Sequence, residues 1–157
     1  MANELTLQRK ETSLLEMRHD SQKYPRLYTL PEDEAKRQMV EIVTMAFLYK
    51  GISIDMVQVQ FIASNLIDEL LDDTTAGTKY LTMAEIKYVI KRAVLGGEEM
   101  FGVSVASLYK VLMTYVKGEG HRIQEESDKL SKAQMVTDTA RLDAMIQNYS
   151  EKLLLKK

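Results

Sequence analysis

Residues 100–112 read MFGVSVASLYKVL. A glycine, an aliphatic residue, a serine cap and an apolar-striped helix outline the second half of a helix-turn-helix DNA reader. They equally outline one more helix packed into a core. The residues upstream decide between the two. A helix-turn-helix joins its helices by a turn of about three or four residues. Here GGEEMF precedes Gly102 and makes a poor helix. The better upstream helix ends near Leu95, which leaves residues 96–103 before the Ser104 cap. The face left free would offer Ser107, Lys110 and Thr114, with no arginine or asparagine where base readout usually originates. The stretch therefore reads first as a helical-hairpin core element.

Working outward, the same logic finds four more helices, so that with the opening stretch, the fourth in order, five follow along the chain. One starts near Pro31, a residue suited to a first turn, with Glu32, Asp33 and Glu34 at the positive end of the dipole. Met39, Ile42, Val43, Ala46 and Phe47 then recur at helical spacing until Gly51. A second begins with Ser53 as cap and Asp55 in its first turn, and Ile54, Val57, Phe61, Ile62, Leu66 and Leu70 form its stripe. A third starts at Thr82-Met83-Ala84-Glu85, which fits a capping box, buries Ile86, Val89, Ile90, Ala93 and Val94, and stops at Gly96-Gly97. The fourth runs from Ser104 to about Lys117, striped by Val105, Leu108, Leu112, Tyr115 and Val116, with Gly118 and Gly120 predicted to end it. The last, residues 121–156, has no proline or glycine. As one helix it would reach roughly 50 Å. It is too long and too polar for a small bundle to absorb, so part of it is predicted to project and pair with another chain.

No internal repeat and no sustained strand-like alternation occurs. The sequence predicts an all-α fold, a small bundle of four to five helices. Residues 31–118 form the core domain, 1–30 an N-terminal arm and linker, and 121–157 the long C-terminal helix. The arm has a thin apolar stripe that includes Leu7, Leu14 and Leu15, expected to dock onto something else. Tyr24, Leu27, Tyr28 and Leu30 are expected along the outside of the core. The predicted partner interface is Leu7, Leu14 and Leu15 at one end and Leu142, Met145, Ile146, Tyr149 and Leu153 at the other.

Composition narrows the chemistry. The 157 residues, 45% hydrophobic, suffice for one core. A formal net charge of −2 supplies no broad basic field for nucleic acid. The basic residues Lys87, Lys91, Arg92, Lys110, Lys117 and Arg122 do gather in one half of the sequence and are the candidate nucleic-acid contacts. Glu85, Glu98, Glu99 and Glu119 stand among them. With no cysteine, thiolate metal sites, disulfides and cysteine nucleophiles are excluded. His19 and His121 lack metal partners at helical spacing, and Asp72-Asp73 with Thr74-Thr75 lacks the other ligands of a cation loop. No phosphate loop or nucleophile elbow occurs, so neither catalysis nor a cofactor is expected. Ten methionines are adaptable core filling. The charged N-terminus does not resemble a signal peptide, and the longest apolar-rich run, residues 39–48, is too short to span a bilayer. The expected setting is a cytoplasm.

Residues 80–115, YLTMAEIKYVIKRAVLGGEEMFGVSVASLYKVLMTY, resemble a pattern in a family of small helical proteins from Bacteroidetes phages and mobile elements. There an LT-x-x-EI helix start is followed by a glycine-centred turn, a serine cap and a helix ending in tyrosine. MVQVQFIASNLIDELL, residues 56–71, is similar to the preceding helix, so the likeness covers roughly the middle of the chain. The resemblance implies a replication-associated context, in the manner of a helicase loader or replisome organiser. The matching residues, Leu81, Thr82, Glu85, Ile86, Gly97, Phe101, Gly102, Leu108 and Tyr115, are cap, turn and core types rather than site types. The expected function is a non-enzymatic adaptor that engages a protein partner, or itself, through its terminal segments. The alternatives are a virion assembly protein and a helix-turn-helix-like DNA-binding regulator.

Overall fold

The computed structural model describes residues 14–20, 22–72, 77–96 and 102–156. Among them the chain is all-α, with a single isolated antiparallel bridge between Arg26 and Thr82. Leu7, the run Asp73-Thr74-Thr75 and residues 97–101 lie outside the described residues.

Helix α1, Glu32–Lys50, follows Pro31 and opens on three acidic residues. Gly51 closes it at φ +69°, with its N–H on the Leu48 carbonyl and the Ile52 N–H on the Phe47 carbonyl. This paired closure needs a left-handed residue, which glycine adopts without a Cβ clash. Helix α2, Met56–Asp72, is capped by Asp55 rather than Ser53: the Asp55 carboxylate accepts the Val57 N–H at 3.0 Å. Its buried stripe is Val59, Ile62, Ala63, Leu66, Ile67 and Leu70. Val57 and Phe61, expected inside, are 76% and 66% exposed. The helix is apolar on more than one side, and the side with the small Ala63 is the one that lets a neighbour approach closely.

Helix α3, Met83–Leu95, starts where the Thr82 hydroxyl accepts the Glu85 N–H. Its inward face is the expected one, Ile86, Val89, Ile90, Ala93 and Val94. Helix α4, Val105–Tyr115, opens on a reciprocal Ser104–Ser107 capping box. In this core α1 packs on α2 and α3, and α4 closes the ring against the same two helices. The stretch that opened the sequence analysis is thus a core helix, with Leu108, Leu112 and Tyr115 buried.

Two expectations about the ends of this core are corrected. Residues 14–19 are helical and fold back onto the bundle, with Leu14 only 3% exposed. Leu27 is also core, at 1% exposed, because residues 25–27 run beside 81–83 and the Leu27 N–H bonds the Leu81 carbonyl at 2.8 Å. The core therefore draws on residues before 31 as well as after it. At the other end, Gly118 and Gly120 do not stop α4. The backbone stays right-handed through a π-helical turn, Val116–Gly120, and runs directly into α5, His121–Leu154. A π turn inserts an extra residue without breaking the helix.

Candidate functional site

From Asp128 to Lys156 every residue is exposed, whereas Ile123 and Ser127 at the base of α5 are buried. Residues 128–154 thus form a bare stem about 40 Å long. It holds helix because nothing in it breaks helix, and Thr137, Thr139 and Ser150 satisfy their hydroxyls on the carbonyls four residues back instead of competing for other backbone groups. The expected partner residues Leu142, Met145, Ile146, Tyr149 and Leu153 all lie on this stem, each at least 55% exposed. The chain exposes 10849 Å², against roughly 8000 Å² for a compact protein of this mass. The undocked stem contributes to that excess.

The stem's apolar residues are ordered. Met135, Leu142, Ile146, Tyr149 and Leu153, with Thr139, recur at alternating steps of four and three. That is a heptad seam, with Thr139, Ile146 and Leu153 at a and Met135, Leu142 and Tyr149 at d. Towards the body the same register gives Lys132 and Asp128, so the seam ends before the bundle begins.

Beneath the stem sits a buried charge cluster. Glu85 is fully buried and Arg18 is 5% exposed, and an Arg18 guanidinium nitrogen stands 3.0 Å from Glu85 Oε2. The Tyr115 hydroxyl donates to the same oxygen at 2.9 Å, and the Thr82 hydroxyl donates to Oε1 at 3.2 Å. Arg18 also donates to the Tyr80 carbonyl at 3.1 Å. Burial pushes the Glu85 carboxyl up from the usual carboxylate range, while Arg18, Tyr115 and Thr82 pull it back. Burial, with Glu85 beside it, pushes the Tyr115 phenol up as well. This cluster ties the N-terminal segment, α3 and α4 into one body. At the next residue, His19 Nδ1 stands 3.3 Å from Ser127 Oγ, which brings the same segment against the base of α5.

No local sequence signal marks this anchor. Glu85 reads as a capping residue, and its pairing with Arg18 depends on residues 67 positions apart meeting in the fold.

The expected partner residues of the N-terminal arm fare differently from those of the stem. Leu14 is spent on the chain's own core, and Leu15 is half-buried against it. The basic candidates do not form one face. Lys91, Arg92 and Arg122 line a cleft of about 840 Å³ between the N-terminal segment, α3 and the base of α5. Arg92 is already paired there with Glu119 at 2.7 Å. Lys117 lines a separate cleft with Arg18 and Arg26, and Lys87 a third with Arg37 and Glu41. On α4, Ser107 is committed to the capping box and the Thr114 hydroxyl to the Lys110 carbonyl, which leaves Lys110 alone of the three groups considered for base contact.

Among the described residues no group of three or more acidic or histidine side chains gathers in metal-binding geometry. No helix among them is long and apolar enough to cross a membrane. No family model matches the chain, and no curated protein or solved structure matches it either.

Proposed function

We propose that this chain is a non-enzymatic interaction protein of a phage or mobile element, in which a self-sufficient helical body presents the stem as a pairing element. The observation that carries the reading is the exposed heptad seam, Met135 to Leu153, standing clear of the body. Exposed apolar side chains in register along a helix are unfavourable in water and are covered by a partner helix in coiled coils. The likeness of residues 80–115 to the phage and mobile-element family supports a setting in DNA replication, where adaptors bring a helicase or an origin complex together. Recognition in this reading is protein to protein, because the basic residues are dispersed over several faces and one is neutralised by Glu119.

Two measurements test it. Sedimentation equilibrium of the full chain should show self-association that Leu142→Asp with Ile146→Asp removes. Mixing with the replicative helicase of the same element should give a complex that the same double substitution weakens at least tenfold. A chain that is monomeric at high concentration and binds no such partner would end this reading. Tight low-salt binding to duplex DNA, lost on Lys110→Glu with Lys117→Glu, would favour the DNA-binding regulator instead.

A further inference from the structure

We infer that the stem pairs with a second copy of this chain in antiparallel orientation, with a two-fold axis near residue 144. The inference rests on the stem-pairing reading and fixes its partner, direction and register.

Three features of the stem point the same way. The first is side-chain size. In an antiparallel pair, a positions face d positions of the partner. Placing the axis at 144 sets Met135 against Leu153, Thr139 against Tyr149 and Leu142 against Ile146, each layer occurring twice. The large Tyr149 then meets the small Thr139. In a parallel in-register pair, Tyr149 would face Tyr149 and Thr139 would face Thr139, one layer too wide and one too narrow. Sliding the antiparallel pair one heptad towards the body would bring Asp128 and Lys132 into the seam. Sliding it one heptad the other way would set Thr139 against Lys156 in place of Tyr149 and part Met135 from Leu153.

The second feature is charge. The g positions are Asp138, Met145 and Lys152, and the e positions Val136, Asp143 and Ser150. The antiparallel pair brings Asp138 beside Lys152 on both sides of the axis, with one Asp143–Asp143 approach at its centre. The parallel pair brings Asp138 beside Asp143 twice and offers no attraction among these positions. Flanking charges of this kind set orientation in coiled coils more than they add affinity.

The third is room. With the axis at 144, Lys156 at d of one chain lies opposite Lys132 at a of the other, so a like-charged layer, open to solvent, closes the apolar seam at each end. That is beyond Ser127, the last residue buried by the body. The two bodies sit at opposite ends of the paired stems without meeting. A parallel pair would crowd both bodies against the polar base of the stem.

The chain contains no cysteine, so introduced ones report contacts without background. Two full-length variants, Met135→Cys and Leu153→Cys, are oxidised separately and as an equal mixture, and the linked species are weighed by mass spectrometry. Both positions are more than half exposed, so the body should fold as before. The expected result is a mixed 135–153 disulfide in more than tenfold excess over either self-linked product. A self-linked Met135→Cys dimer would overturn the antiparallel register while leaving stem pairing intact. Association by sedimentation with no disulfide in any sample would also overturn it, placing the contact in another register or surface. A monomer by sedimentation, with no disulfide, would remove the pairing reading itself.

Discussion

The two ends of this chain are both weakly amphipathic helices, and they meet opposite fates. The N-terminal segment carries the poorer stripe, yet it is docked, with Leu14 in the core and Arg18 sealed against Glu85. The C-terminal helix carries the richer stripe, yet past Ser127 every described residue of it is exposed. Apolar content alone does not decide whether a helix folds back. What docks the N-terminal segment is a single leucine placed one turn before a charge that finds a buried counter-charge and a carbonyl. The stem has a longer apolar row, but among the described residues no buried ion pair ties it to the body.

The largest effect that can break this comparison lies at the anchor. Arg18→Ala leaves the Glu85 carboxylate buried without its counter-charge, and removing one partner of a buried pair costs about 3–5 kcal/mol. Urea denaturation should show a loss of that size, and a loss under about 1 kcal/mol would mean that the segment is not anchored by charge. The triple change Arg18→Met, Glu85→Leu and Tyr115→Phe removes both buried charges and the phenol together, and should recover most of the loss because only the Thr82 hydroxyl and the Tyr80 carbonyl then lose a partner.

A smaller effect tests the join between body and stem. At Gly120 a Cβ would fall 2.9 Å from the Tyr115 carbonyl oxygen and 3.1 Å from its ring, while at Gly118 nothing lies within 4 Å. Gly120→Ala should therefore destabilise by about 1–3 kcal/mol through overpacking. Gly118→Ala, in a right-handed turn with open space, should stabilise by up to about 1 kcal/mol as alanine normally does in a helix. Opposite signs at two glycines two residues apart would establish that the π turn is a packed joint. Equal signs would make it an ordinary stretch of helix.

These positions also mark where the sequence was legible. Caps at Thr82 and Ser104 and the Gly51 closure were readable because the groups that satisfy each other lie within a few residues. The stripes of α1, α3 and α4 were readable because their periodicity has one solution. The stripe of α2 has more than one, and only the approach of neighbouring helices selects the face with Ala63. Gly118 and Gly120 are stop signals by local rules, but a tyrosine ring packed on Gly120 turns one of them into part of a continuous helix. The anchor was invisible because nothing within one helical turn of Arg18 or of Glu85 announces the other. The seam of the stem was legible in part, at Leu142, Ile146, Tyr149 and Leu153, since a heptad is a local property; Met135 and Thr139 extend it, Met145 lies beside it, and its partner is not written within the chain's own fold.

The smallest expected effect is the sharpest test of the contrast. Leu142→Asp changes an apolar residue to a charge, a substitution that in any core would cost several kcal/mol. Here the side chain is 58% exposed and its helix stands off the body. Measured below the concentration at which stems pair, the stability of the body should change by less than about 0.5 kcal/mol, the usual range for a surface substitution. Above that concentration the parent chain gains stability by mass action and the variant does not, so the gap between them should widen with protein concentration. A constant gap of more than about 1 kcal/mol at all concentrations would place Leu142 against the chain's own body, and the two ends would then no longer differ in kind.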